Sequence, residues 1–213
     1  MNVEAEIDRA RHLDAADELA GFRDRFALPK GPGGSDLAYL AGHSLGLQPL
    51  AAQDRVREEL DDWARLAVNG HFTARRRWLD YHEHLREGLA ELAGAQPEEV
   101  VSMNSLTVNL HFMMASFYRP EPGRSKILIE SGAFPSDRHA VASQLEWHGF
   151  DVGNTLIELA PPAGSDLLDE HEIEALLDVH GHEIALVLWP GVQFRTGQAF
   201  DLARLYGDRK SVV

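Results

Sequence analysis

Residues 100–137, VVSMNSLTVNLHFMMASFYRPEPGRSKILIESGAFPSD, decide the fold of this chain. They contain two β-rich segments, 100–103 and Lys126–Glu130, and each leads through a short turn into a helix candidate, 108–118 and 135–148. Two such strands side by side in a parallel sheet direct both turns to the same edge, where α/β folds bind ligands. The stretch therefore predicts an α/β fold with an anion-binding edge, because free N–H groups at helix N-termini favour negative charge.

Hydroxyl side chains occupy the first of these turns. Ser105 and Thr107 stand where a hydroxyl caps a helix or bonds a phosphate. Helix capping is the more common use of either residue alone. Both interpretations therefore stay open for this turn.

The second turn carries an aromatic ring, a proline, a hydroxyl and an acid. Phe134 is suited to stack on a planar ring or to staple the helix start, and Pro135 fits the first helical position. Ser136 and Asp137 then fall in the first helical turn. Asp137 is equally consistent with a carboxylate favoured by the helix dipole and with a partner for a polar atom of a cofactor.

Four strings in this chain resemble kynureninases, which are pyridoxal-phosphate enzymes of the aspartate-aminotransferase fold. They are YLAGHSLGLQP at 39–49, MNSLTVNLH at 103–111, KILIESGAFPSDRHAVASQLEWHG at 126–149 and LVLWPGVQFRTGQAFDL at 186–202. The resemblance extends over nearly the whole chain and is specific, because long strings match in order. It implies N-terminal helices followed by part of the mostly parallel sheet of the fold type I large domain, truncated.

The resemblance also implies the cofactor, pyridoxal 5′-phosphate, and the residues that contact it. The matching residues are Leu106, Thr107, Phe134, Pro135, Ser136 and Asp137. Thr107 and Ser136 help to hold the phosphate, Phe134 stacks on the pyridine ring and Asp137 lies at its polar edge. The family often has a hydroxyl residue near the cofactor where this chain has Pro190, so the resemblance implies no such contact at this position.

Composition limits the class of protein. The chain has 213 residues, a net charge of -14 and no cysteine, which predicts one globular domain without disulfides or thiolate chemistry. Nucleic acid is an unsuitable partner, because binding phosphates needs a basic face. The N-terminus lacks a signal-peptide pattern and no apolar stretch is long enough to span a bilayer, so we expect no membrane association and a cytoplasmic location.

Hydrophobic spacing predicts the remaining elements. Helices are expected at 15–26, 49–67 and 78–93, a strand at 154–159, a helix capped by Ser165 or Asp166, a buried strand at 184–189 and a helix from 199 to 206.

Three polar residues are substrate candidates through the resemblance. The resemblance implies that His43 and Ser44, in a glycine-flanked loop, line the substrate pocket and that His71 matches a position near the aromatic ring of the substrate. Without the resemblance, a packing turn and a helix-end histidine are the preferred explanations. His82 and His84 point to different helix faces, and we expect no metal site.

The Schiff-base lysine of the family lies beyond the C-terminus of this chain, so no catalytic residue is assigned. The chain has Lys30, Lys126 and Lys210, and none matches that position. We expect an inactive piece with a helical segment and substrate-side loop at 1–70, an incomplete cofactor-binding large domain at 71–206 and a non-native tail at 207–213. A genomic sequence that encodes the same tail in related strains would contradict the last point.

The resemblance implies the function of the full-length enzyme. Kynureninases hydrolyse L-kynurenine or 3-hydroxykynurenine to anthranilate or 3-hydroxyanthranilate and L-alanine, as homodimers, in tryptophan catabolism and NAD biosynthesis. The alternatives are another enzyme of the same fold, such as a cysteine desulfurase, and a catalytically dead scaffold protein. The FPSD and GHSLGLQP strings argue against the desulfurase.

Overall fold

The computed structural model describes residues 3–207. The chain divides into two compact units between Ser102 and Met103. The boundary between 70 and 71 expected from the resemblance stays a prediction, and most of the tail at 207–213 lies outside the described residues. In the described part, no helix is long and apolar enough to cross a membrane.

The first unit is built from helices joined by turns. Its α-helices are α1 (Val3–Ala16), α2 (Ala51–Leu66), α3 (Gly70–Thr73) and α4 (Arg86–Ala93), with 3-10 turns at Ala20–Arg25, Ala67–Asn69, Tyr81–Leu85 and Pro97–Glu99. Helix α2 confirms the helix predicted at 49–67. Its apolar stripe, formed by Val56, Leu60 and Trp63, is exposed.

Two helix predictions in this unit were wrong in extent. The helix expected at 15–26 is replaced by the end of α1 and a 3-10 turn, because the Asp17 carboxylate accepts a hydrogen bond from the Leu19 N–H at 2.9 Å and interrupts the helix. The helix expected from Trp78 begins as a 3-10 turn at Tyr81–Leu85. The Trp78 indole instead packs on Gly70 and donates to Glu59 at 3.1 Å, so tertiary contacts override local spacing.

The second unit contains a parallel three-stranded sheet. Strands β1 (Lys126–Glu130), β2 (Leu156–Leu159) and β3 (Ile184–Val187) lie in the order β2-β1-β3. Both the predicted parallel sheet and the strand Lys126–Glu130 are confirmed. The chain leaves β1 in one direction and returns past it to β3, so the carboxyl ends of β1 and β3 form the switch point where open α/β sheets bind ligands.

Helices cover both faces of this sheet. Helices α5 (Leu106–Phe117) and α6 (Pro135–Trp147) pack with Ile127 and Ile129 on one face, and α8 (Glu170–His180) packs with Leu128 on the other. Two shorter helices, α7 (Val152–Thr155) and α9 (Leu202–Gly207), and a 3-10 turn at Gly181–Glu183 complete the described elements. This layering is that of an α/β domain.

The predicted strand at 100–103 is wrong, because these residues are not in a strand. Strand formation needs a hydrogen-bonded neighbour, and none of the three strands of the described sheet pairs with these residues. Asn104 adopts a positive φ of 47° and turns the chain into α5.

Three boundaries in the second unit also differ from expectation. The cap of α8 is Asp169, whose carboxylate accepts from the His171 N–H at 2.9 Å, while Ser165 bonds Leu167 in its own turn. Helix α9 begins three residues late, because Ala199 is held in a β-bridge. The strand expected at 154–159 begins at Leu156, because the preceding turn is helical.

Candidate functional site

The turn after β1 brings four of the predicted cofactor residues together. Pro135 occupies the first turn of α6, as expected from its fixed φ. Gly132, with φ at 74°, makes the turn that leads from β1 into this helix. The Ser136 hydroxyl donates to the Asp137 carboxylate at 3.1 Å, and both residues are half-buried. The Phe134 ring keeps half of its surface exposed at the carboxyl edge of the sheet.

The other two cofactor candidates begin α5. Ser105 is the N-cap of this helix, and its hydroxyl accepts from the Val108 N–H at 3.4 Å, so the capping interpretation of Ser105 is confirmed. Leu106 and Thr107 follow in the first turn, and among residues 3–207 the Thr107 hydroxyl has no hydrogen-bond partner. The first turn of α5 therefore offers free N–H groups and a free hydroxyl to an anion.

The direction of α5 brings its first turn towards the carboxyl edge of the sheet. Its far end is tied to the start of β1 by the Tyr118 hydroxyl, which donates to the Ser125 carbonyl at 2.6 Å. Met114 and Tyr118 pack on the same core as Ile127 and Ile129. A helix of 12 residues is about 18 Å long, comparable to the strand beneath it, so its N-terminus points to the strand's other end.

The loop after β3 completes this edge. The Phe194 ring meets the Phe134 ring edge-to-face with centroids 5.1 Å apart. The Gln193 side chain donates from Nε2 to the Gly132 carbonyl at 3.2 Å. These contacts join the turns that follow β1 and β3 at the switch point. Pro190 lies at the start of this loop and offers no side-chain hydrogen bond.

A cavity of about 640 Å³ adjoins the β1 turn. Its polar lining comes mainly from the ends of β1 and β3 and includes Glu130, Gln193 and Arg195. Within the described residues the Arg195 guanidinium has no ion-pair partner, and its Nη1 lies about 4.0 Å from where a Cβ on Gly132 would stand. A volume of this size is sufficient for a small organic molecule.

Glu130 is the buried acid of this edge. Only 3% of its surface is exposed, and its Oε2 has no hydrogen-bond partner among residues 3–207. Burial raises the pKa of Glu130 above its ordinary value of 4.5, and the nearby Gln193 amide partly opposes that rise. Burial therefore makes the charged form of this carboxyl less favourable in the folded protein than in water.

This burial predicts a pH-dependent effect of Glu130→Gln. A folded pKa above the unfolded one gives stability that is fully present below about pH 4.5 and is lost as the pH rises through the folded pKa. Each pKa unit of difference between the folded and unfolded states changes the free energy of unfolding by about 1.4 kcal/mol. Glu130→Gln should therefore match the unsubstituted chain near pH 4 and unfold at a higher temperature at pH 8.

Thermal unfolding followed by circular dichroism at both pH values tests this expectation. Glu158→Gln is the matched control, because Glu158 pairs with Arg138 through two 2.9 Å bonds and its loss should lower the unfolding temperature at pH 8. If the difference in unfolding temperature between Glu130→Gln and the unsubstituted chain does not grow from pH 4 to pH 8, burial does not raise the pKa of Glu130 as proposed.

The three substrate candidates belong to the first unit. His43 and Ser44 lie in an exposed turn, in which the Ser44 N–H donates to the Ala41 carbonyl at 2.9 Å. His71 is in α3, where its ring meets the Trp78 ring edge-on at 5.5 Å. All six cofactor candidates belong to the second unit. No group of three or more metal-binding side chains occurs in the described part of the chain.

Sequence reasoning missed Gln193 and Glu130, although both lie in strings that carry the resemblance. A loop glutamine such as Gln193 has no local pattern that marks it. The alternation of β1 gives one signal, since Leu128 and Glu130 share a face and Leu128 is in the core. That alternation predicts a buried acid.

Comparison with known proteins identifies relatives over nearly the whole chain. No protein-family model matches it. A kynureninase of Xanthomonas campestris pv. campestris is 57% identical over 196 residues, and one of Myxococcus xanthus is 55% identical over 196 residues. Each match covers 92% of this chain and 46% of the relative, so the chain spans about half the length of these curated relatives. The resemblance to kynureninases is thereby confirmed.

Proposed function

We propose that this chain is the cofactor-contacting half of a kynureninase. The observation that carries the proposal is the identity of 55–57% to kynureninases together with the Phe134 turn at the switch point. The whole protein would hydrolyse L-kynurenine or 3-hydroxykynurenine to anthranilate or 3-hydroxyanthranilate and L-alanine. It would act in the cytoplasm as a homodimer in tryptophan catabolism, which supplies NAD biosynthesis.

The residues of the second unit fit pyridoxal 5′-phosphate. The first turn of α5 supplies Thr107 and free N–H groups for the phosphate, and the exposed Phe134 ring supplies a stacking face. Ser136 lies beside Asp137 in the first turn of α6, where both a phosphate contact and a polar ring contact are available. When bound, the cofactor supplies a ring that accepts electrons from the substrate.

Each of these residues has a separate task in the proposal. Phe134 orients the cofactor ring, and Asp137 accepts a hydrogen bond at its polar edge. Thr107 and Ser136 hold the phosphate and so prevent the ring from sliding along Phe134. His43, Ser44 and His71 would contact the substrate in the whole protein. The lysine that bonds the cofactor would come from the part of the family sequence that this chain does not match.

Phe134→Ala tests the stacking role. Loss of an aromatic face worth about 1 kcal/mol should raise the dissociation constant for pyridoxal 5′-phosphate about fivefold. Equilibrium dialysis of the 213-residue chain against the cofactor measures this constant. Phe117→Ala is the matched control, since Phe117 is 48% exposed, close to the 50% of Phe134, and ends α5 instead of beginning α6. Equal losses of affinity in the two variants would contradict a specific role for Phe134.

Asp137→Ala separates the two interpretations of that acid. It requires a hybrid in which residues 1–206 of this chain replace the matching half of the Xanthomonas campestris kynureninase. If Asp137 contacts the cofactor, turnover by the hybrid should fall by about tenfold or more while its melting temperature changes little. A fall in melting temperature that accounts for the loss of turnover would favour helix capping instead.

A further inference from the structure

Gln193 connects the loops that follow β1 and β3. Its side chain is 7% exposed, and its Oε1 accepts from the N–H groups of Arg195 at 2.6 Å and Thr196 at 3.1 Å. Its Nε2 donates to the Gly132 carbonyl, which lies 61 residues away along the chain. The amide thus holds its own loop in a fixed shape and ties it to the turn that carries Phe134.

The backbone around Gln193 forms a small closed hairpin. The Gln193 N–H donates to the Gln198 carbonyl at 2.8 Å, and Val192 and Ala199 form an antiparallel bridge. Gly197, with φ at 73°, makes the reversal possible. These backbone bonds hold Phe194 in a defined position and orientation relative to the rest of the loop.

Phe194 meets Phe134 at an interplanar angle of 75°. An edge-to-face contact restrains the Phe134 ring while leaving ring surface for another planar group. Gly132, two residues before Phe134, has the freedom of a glycine at positive φ, so the turn needs an external contact to hold one conformation. Gln193 and Phe194 supply that contact from both ends of the turn.

The buried acid Glu130 lies next to the contact between Gln193 and the β1 turn, where a polar side chain at position 193 is favourable. The buried Glu130 carboxyl and the Gln193 amide line the same cavity, and the Glu130 Oε2 has no partner among residues 3–207. An apolar side chain at position 193 would leave the Gly132 carbonyl without its donor and would remove a polar group from beside the buried acid. Unsatisfied buried polar groups are costly, so the turn would then rearrange towards solvent.

We propose that Gln193 is a positioning residue that, through Gly132 and Phe194, sets the plane of the Phe134 ring before the cofactor binds. The inference rests on the proposed function for the identity of the ligand, and on the contacts of Gln193 for the positioning. It assigns a role to a loop glutamine that touches neither phosphate nor substrate in the proposal. A preformed stacking face lowers the ordering cost of binding.

The test compares Gln193→Met with Gln198→Met in the 213-residue chain. Both replace a glutamine of the same hairpin with an apolar side chain of similar length. The Gln198 amide, however, bonds the backbone of Leu168 at 3.0 and 2.7 Å, away from the β1 turn. Hydrogen exchange of the peptide covering 131–138, measured without cofactor, should accelerate about tenfold in Gln193→Met and stay within about twofold in Gln198→Met.

The second measurement is cofactor binding by the same variants and by Phe194→Leu. Gln193→Met and Phe194→Leu should each raise the pyridoxal 5′-phosphate dissociation constant about fivefold, and Gln198→Met should not. If the unsubstituted chain binds no cofactor, the proposed function loses support while the exchange data still decide the positioning. Unchanged exchange at 131–138 in Gln193→Met, or an equal change in Gln198→Met, would overturn the inference.

Discussion

The 213-residue chain is expected to release no anthranilate when it is incubated with pyridoxal 5′-phosphate and L-kynurenine. Chemistry with this cofactor depends on a lysine that bonds it covalently. Lys30 pairs with Asp36 in the first unit, and Lys210 lies outside the described residues. Without the lysine that bonds the cofactor, the usual reaction of pyridoxal 5′-phosphate with the substrate cannot proceed, so we expect no turnover.

Lys126 is the lysine closest in sequence to the turn that carries Phe134. Its position explains why it cannot replace the lysine that bonds the cofactor. It begins β1 and pairs with Glu183, whereas Phe134 follows the opposite end of the strand. The four residue steps from Lys126 to Glu130 span about 13 Å. Anthranilate fluorescence over several hours measures turnover, and sustained release that Lys126→Met abolishes would show that the lysine argument is wrong.

The second large effect is expected in the association state of the chain. It should self-associate despite its net charge of -14, because it leaves both apolar surface and strand edges without partners. Helix α5 is apolar on most of its circumference, and Phe112, Met113 and Phe117 are exposed on it. In the described part of the sheet, β2 and β3 each pair with a strand on one side only. Helices that are apolar all round are normally covered.

Size-exclusion chromatography with light scattering tests this expectation at several protein concentrations. The double variant Phe112→Glu and Phe117→Glu should shift the population towards monomer, while Ser116→Glu, which adds charge to α5 without removing an apolar side chain, should shift it less. A monodisperse monomer with a cooperative melt would contradict the expectation. It would also revive the scaffold interpretation, because these residues would then form a self-sufficient domain.

Elements whose ends are marked by residues in the local sequence were predicted well. Strand β1 was predicted with its observed bounds, whereas the continuous apolar run at 184–189 overextended β3, which ends at Val187. Helix α6 was predicted within one residue, because Pro135 starts it and Gly149, at φ 80°, stops it. The start of α5 was predicted two residues late, at Val108, although Ser105 was recognised as a possible cap.

Elements that depend on partners could not be predicted in the same way. Residues 100–103 have strand composition but no strand beside them, and Trp78 leaves its predicted helix to pack on Gly70. Asp166 and Asp169 are both suitable caps for α8, and the turn formed by Ser165 decides between them. Within the candidate site, the six cofactor residues came from the resemblance, whereas Gln193 needed the contact with Gly132, 61 residues away.

Turnover by the hybrid with the Xanthomonas campestris kynureninase shows whether residues 1–206 can form half of a kynureninase site. The hybrid joins residues 1–206 to the half of the relative that this chain does not match, and so supplies the bonding lysine. We expect the purified hybrid to bind pyridoxal 5′-phosphate and to convert L-kynurenine to anthranilate and L-alanine, and we expect Phe134→Ala to weaken cofactor binding in it. A hybrid that folds, binds the cofactor and releases no anthranilate would contradict the claim that these residues form half of a kynureninase site.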